Sequence, residues 1–196
     1  EGDLGKYAKA LATQERVLAL HEALGDRAGV AATLANLGGV QSDLGAHAKA
    51  LRAWERALAE LEALGDRAGV ATTLGNIGTT WGMLGEHAKA LAVLERALAE
   101  QEALGDRAGA ATALGNIGYI QRALGRSAAA LATYQRALAE QEALGNRAGV
   151  AHLLGHIGYT HLELGQVREG RRALERSVRT AKAMRATPLV VEGLTG

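Results

Sequence analysis

His152 and His156 stand four residues apart, and His161 follows one and a half helical turns later. On a helix, side chains at i and i+4 share one face, so two imidazoles at this spacing can hold zinc. The protease form of the motif, H-E-x-x-H, needs a glutamate after the first histidine as general base, and Leu153 stands there instead. No third ligand is evident. With no cysteine in the chain, thiolate metal sites and disulfides are both excluded. Two readings remain for the pair, a metal chelate or two polar residues on a binding face. The second is the simpler, and no metal or other cofactor is expected.

The arginines raise a different chemistry. Arg27, Arg67, Arg107 and Arg147 recur at a fixed interval and can each meet an acidic partner or pair internally with Glu22, Glu62, Glu102 or Glu142. Internal pairing is expected, because a free cation at a helix N-terminus opposes the macrodipole. Arg168, Arg171, Arg172, Arg176 and Arg179 form a basic run without interleaved aromatics for base stacking, so it reads as a solvated outer face. His47 and His87 occupy equivalent places and read as surface residues. No G-x-x-x-x-G-K-[ST] loop, Ser–His–acid group or paired carboxylates emerge, and the expectation is that the chain is not an enzyme. The balance of 22 basic and 21 acidic residues gives no bulk attraction to nucleic acid or a membrane. No apolar run is long enough to span a bilayer, and the opening EGDLGKYAKA lacks a signal-peptide core, so a cytoplasmic location is expected.

What must position these residues is written in the spacing of the glycines. Gly5, Gly45, Gly85, Gly125 and Gly165 recur every 40 residues, and Gly25, Gly65, Gly105 and Gly145 form a second series in the same register. Residues 61–80 and 101–120 are nearly one segment written twice. Such a period marks a repeat architecture, in which each unit buries its apolar face only against its neighbours and an extended surface results.

Within one unit, Gly65 reads as a left-handed helix terminator and Asp66 as the cap of the next helix. Val70, Leu74, Ile77 and Trp81 then recur at spacings of three and four. A second helix follows Gly85, with Ala90, Leu91, Leu94, Ala97, Leu98 and Leu104 on its buried stripe and Arg96 paired with Glu100 outside. Helices are expected near 26–43, 46–64, 66–83, 86–104, 106–123, 126–144, 146–163 and 166–184. Gly69, Gly75, Gly78 and Gly82 interrupt the first helix, each at a cost of roughly 0.8–1 kcal/mol against alanine. Gly78, beside Ile77, reads as a close-packing site; Gly75 and Gly82, off the stripe, read as lowering the wall of a groove.

These residues resemble the tetratricopeptide repeat. Its pattern W-x2-L-G-x2-Y…A-x3-F appears as Leu74-x2-Ile77-Gly78-x2-Trp81 with Ala90-x3-Leu94 and Ala97. It recurs as Leu34, Leu37, Gly38, Ala50, Trp54, Ala57 and as Leu114, Ile117, Gly118, Ala130, Tyr134, Ala137. The 40-residue unit, with A-L-G-D-R in place of the usual proline, looks like those of kinesin light chains, the Pins/LGN adaptors and arrays in bacterial regulators. The resemblance implies an all-α solenoid, a right-handed superhelix of antiparallel helix pairs. Residues 1–196 form one array: 1–25 as the second helix of an incomplete unit, repeats 26–65, 66–105, 106–145 and 146–185, and 186–196 beginning a further helix. It also implies that the first helix of each pair lines a concave face holding a peptide or protein. Asn36, Asn76, Asn116 and, departing from the pattern, His156 fall where such arrays clamp a ligand backbone. Gly39, Thr79, Tyr119 and Tyr159 follow in the groove, then Asp43, Met83, Ala123 and Glu163.

A protein- or peptide-binding scaffold excerpted from a larger protein is therefore the expected function, without nucleic acid or membrane as partner. The alternative is a self-associating or intramolecular segment of a bacterial signal-transduction protein, with end-to-end contacts through the leading helix or Leu189–Leu194.

Overall fold

Every 40 residues the chain spends two glycines on the same local event, and the helices are set by it. The computed structural model of the protein describes residues 2–185. Among them lie nine helices: α1 (Gly2–Leu24), α2 (Arg27–Asp43), α3 (His47–Leu64), α4 (Arg67–Met83), α5 (His87–Leu104), α6 (Arg107–Ala123), α7 (Ser127–Ala143), α8 (Arg147–Glu163) and α9 (Val167–Arg185). Gly65 ends α3 at φ +71°, a left-handed conformation that costs a residue with a Cβ about 1–2 kcal/mol. There Asp66 N–H donates back to Leu61 O, closing the turn. The Asp66 carboxylate then accepts from Gly69 N–H at 2.9 Å and caps α4. Asp26, Asp106 and Asn146 repeat this cap on Gly29, Gly109 and Gly149. The expected further helix over 186–196 and the Leu189–Leu194 contact lie outside the described residues.

Each first helix packs against the second helix of its own pair, α2 on α3 through α8 on α9, and each second helix packs against the next first helix. Buried apolar clusters follow that zigzag. Ile77 of α4 meets Ala50, Leu51 and Trp54 of α3, while Leu153 and Ile157 of α8 meet Ala130, Tyr134 and Ala137 of α7. The first helices α4, α6 and α8 also touch one another in succession, which the second helices do not do to the same degree. An array whose first helices lie closer together than its second helices curves with the first helices on the inner, concave side. The result is an all-α solenoid of stacked antiparallel helix pairs.

Glycines inside the first helices separate into two kinds. A Cβ on Gly78 would lie 2.6 Å from Leu94 Cγ, and one on Gly118 would lie 2.7 Å from the Tyr134 ring, so these glycines let a pair close. Gly75 faces open space, with nothing within 4 Å, as a lowered groove wall requires. Gly82 does not: its Cβ would meet Ile120 Cδ1 at 2.7 Å, because the next first helix packs onto it. Leu104, expected on the buried stripe, is 43% exposed at the helix end.

The outer ion pairs also differ from the helix-local expectation. Arg96 reaches back to Glu62 at 2.6 Å, and Glu100 accepts from Arg67 at 2.8 Å, so the i,i+4 pair does not form. Arg27 meets Glu60 and Arg107 meets Glu140 across their own helix pairs, rather than the glutamate of the preceding helix. Those preceding glutamates are taken by the following second helix: Glu22 by Arg56, Glu102 by Arg136, Glu142 by Arg176. At the last pair Thr180 stands where Glu60, Glu100 and Glu140 stand, and the Arg147 rung is missing.

Candidate functional site

The inner layer of first helices presents the residues that the repeat pattern marks for a ligand. Asn36 and Asn76 are exposed, and neither side chain has a hydrogen-bond partner among the described residues. Asn116 is half-buried, and its Nδ2 donates to Thr79 Oγ1 at 3.3 Å, joining α6 to α4 along the groove. That bond runs between neighbouring first helices and not into a hairpin interface. Thr79 in turn donates to Gly75 O at 2.8 Å, which leaves its oxygen free to accept.

One turn further on, Tyr119 and Tyr159 are 48% and 58% exposed, and Met83 is 64% exposed. Large side chains held this open on one layer offer contact area to a partner. Thr79, Gly82, Met83, Asn116 and Tyr119 line a hollow of about 150 Å³ between α4 and α6. Asn116, Tyr119, Gln141, Asn146, His152 and His156 line a larger one, about 420 Å³, between α6 and α8. Another hollow, about 370 Å³, lies among α5, α6 and α7 around Arg107, Arg136, Glu102 and Glu140. Its charged groups already pair with one another, so it offers a ligand less than the inner face does.

The α6–α8 end departs from the rest of the groove. The His156 ring lies flat on the ring of Tyr134, centroids 5.2 Å apart and planes 7° from parallel. Tyr119 meets it edge-on at 6.2 Å and His152 at 4.5 Å. Burial first, then His152 and the nearby Arg122 cation, hold the His156 pKa down at about 4, so the ring is neutral at pH 7. Tyr134 is fully buried, and burial pushes its pKa up to about 12 against the opposing pull of the Arg122 guanidinium near its hydroxyl. Arg122 pairs with Glu163 at 2.9 Å, so the acid that the resemblance places in the groove is engaged within the array.

Three roles here escaped the motif reading: that of Tyr134, which it held only as a packing residue, and those of Arg122 and Gln141. A signal for the first was present, since Tyr134 replaces Leu94 of the preceding copy at the helix pair beside the one where His156 replaces asparagine. His47 and His87 are not simple surface residues either, for their Nδ1 atoms are buried. His161 turns aside from the other histidines and bonds Gln166 at 2.5 Å.

Comparison with known proteins bears on what this face is for. The family model for the tetratricopeptide repeat matches residues 1–62, 43–103, 69–143 and 109–183. Comparison with the curated proteins returns no sequence match. Among solved structures, BtubC (BKLC) from P. vanneervenii superposes with a TM-score of 0.87 at 20% identity, over 100% of this chain and 81% of that one. A putative kinesin light chain from Podosopora anserina with nearly identical repeats gives 0.78 at 16% identity, over 94% and 91%. A Rap protein complexed with Competence and Sporulation Factor gives 0.78 at 18% identity, over 95% of this chain and 52% of that one. At these identities the likeness is one of fold.

Proposed function

The chain belongs to the tetratricopeptide repeat family, and on that premise we propose that it is a non-catalytic scaffold that binds a protein or peptide along its inner face. The observation that carries the reading is a contrast between copies. On the first helices the packing positions are nearly constant, Leu34, Leu74, Leu114 and Leu154 with Leu37, Ile77, Ile117 and Ile157, while one groove position runs Gly39, Thr79, Tyr119, Tyr159. Asn36, Asn76 and Asn116 supply amides that both donate to a peptide carbonyl and accept from its N–H, which holds an extended backbone without reading its sequence. Thr79, Met83, Tyr119, Tyr159 and His156 then supply side-chain selectivity. The Rap protein was solved with a bound factor, a precedent for a ligand on this fold. Nucleic acid and membranes are not the proposed partners: formal net charge is +1, and no described helix is long and apolar enough to cross a membrane. A cytoplasmic setting fits this reading.

A displayed random-peptide library panned on the array tests it. Recovered peptides should bind with measurable affinity and lose binding to Gly75→Gln, whose Cβ meets no neighbouring atom within 4 Å and whose unchanged Tm is the check that the fold is intact. Peptides that bind the variant unchanged would place recognition elsewhere.

The second reading, self-association, draws on Leu20 and Leu24 of α1 and Val167 and Val178 of α9, exposed apolar residues toward the two ends of the described array. Light scattering across concentration tests it; a monomer throughout would remove it.

A further inference from the structure

We infer that His152 and His156 form a two-imidazole chelate for a divalent transition-metal ion at the α6–α8 end of the groove. The pair is confined to one copy. The equivalent positions hold Ala32 and Asn36, Thr72 and Asn76, and Thr112 and Asn116, so the fourth repeat changes both residues of a facing i,i+4 pair. The two Nε2 atoms lie 3.2 Å apart. Two nitrogens bound to one tetrahedral zinc at 2.0–2.1 Å are separated by about 3.3 Å, so the spacing already matches that of two ligands on one ion.

The surroundings hold one of the two rings in place. Tyr134 stacks on one face of His156, and Gly118 makes room for that ring. The Arg122 charge close by is paired to Glu163 and does not stand alone against an incoming cation. The hollow of about 420 Å³ admits an ion with its remaining waters. Among the described residues no third histidine, cysteine or carboxylate joins the pair. The ion would therefore keep open positions for water or a donor from a bound partner. Imidazole ligands select Zn²⁺, Ni²⁺ or Cu²⁺ over Mg²⁺ or Ca²⁺.

The test uses the whole, tag-free chain titrated with ZnCl2, NiCl2 or CuCl2 at neutral pH, followed by calorimetry and thermal unfolding, with MgCl2 as control. One ion per chain and a metal-dependent rise in Tm are expected, because an ion that binds the folded state stabilises it by mass action. Each of His152→Thr and His156→Asn should weaken binding at least tenfold, and the double variant should abolish the Tm rise. These are the residues of the third repeat at the same positions, so the variants retain a sequence this fold already uses. His161→Ala should bind as the parent does. No metal-dependent Tm change in the parent, or an equal change in the double variant, would overturn the chelate and leave the two rings as an N–H···N pair.

Discussion

Tyr134, at the centre of the buried cluster of the third and fourth helix pairs, lies flat against His156 on the groove, ring planes 7° from parallel. One aromatic stack thus joins the hydrophobic core to the candidate ligand face. The same ring carries a buried hydroxyl that makes no hydrogen bond of ordinary geometry among the described residues and has only the Arg122 guanidinium near it. Tyr134→Phe should therefore preserve the stack and leave stability unchanged or raise it by up to about 1 kcal/mol. Tyr134→Ala should cost about 3–5 kcal/mol through the cavity it leaves. Urea denaturation of the two variants checks both signs.

The glycines of the first helices should respond with opposite signs. Gly75→Ala meets no atom within 4 Å and should gain about 0.5–1 kcal/mol of helix propensity. Gly118→Ala gains the same propensity but drives a Cβ to 2.7 Å from the Tyr134 ring, and overpacking of this kind costs about 1–3 kcal/mol. Equal stabilisation of both variants in urea unfolding would show that pair closure does not depend on Gly118.

Much of this was legible because the repeat spells it out four times. The capping residues Asp26, Asp66, Asp106 and Asn146, the terminating glycines and the apolar stripes are local signals, and each copy repeats them in register. What the sequence concealed depends on the neighbouring unit. Gly75 and Gly82 look alike along α4, yet Ile120 from the next first helix covers only Gly82. Arg96 and Glu100 sit one helical turn apart, but stacking brings Glu62 to the first and Arg67 to the second. The stack of Tyr134 on His156 likewise crosses between units, and its only trace in the sequence was two departures from the repeat.

The outer ladder predicts little stability and clear salt sensitivity. Arg96 and Glu62 are each about half exposed, so a double-mutant cycle with Arg96→Ala and Glu62→Ala should give a coupling of about 0.2–1 kcal/mol. Raising ionic strength to 1 M should erase most of it. A coupling above about 2 kcal/mol, unaffected by salt, would mean that the ladder holds the units together.

The central claim is that the groove amides hold a ligand backbone, and the double variant Asn76→Ala, Asn116→Ala tests it most directly. For a peptide recovered from the library, Kd and Tm are measured together on parent and variant. Each lost hydrogen bond is worth about 0.5–1.5 kcal/mol, so the account predicts affinity weaker by about five- to 150-fold. Tm should fall only slightly, since the Asn76 side chain has no hydrogen-bond partner among the described residues and Asn116 loses one long bond to Thr79. A marked fall in Tm with unchanged affinity in the folded protein would contradict the account and make these asparagines structural.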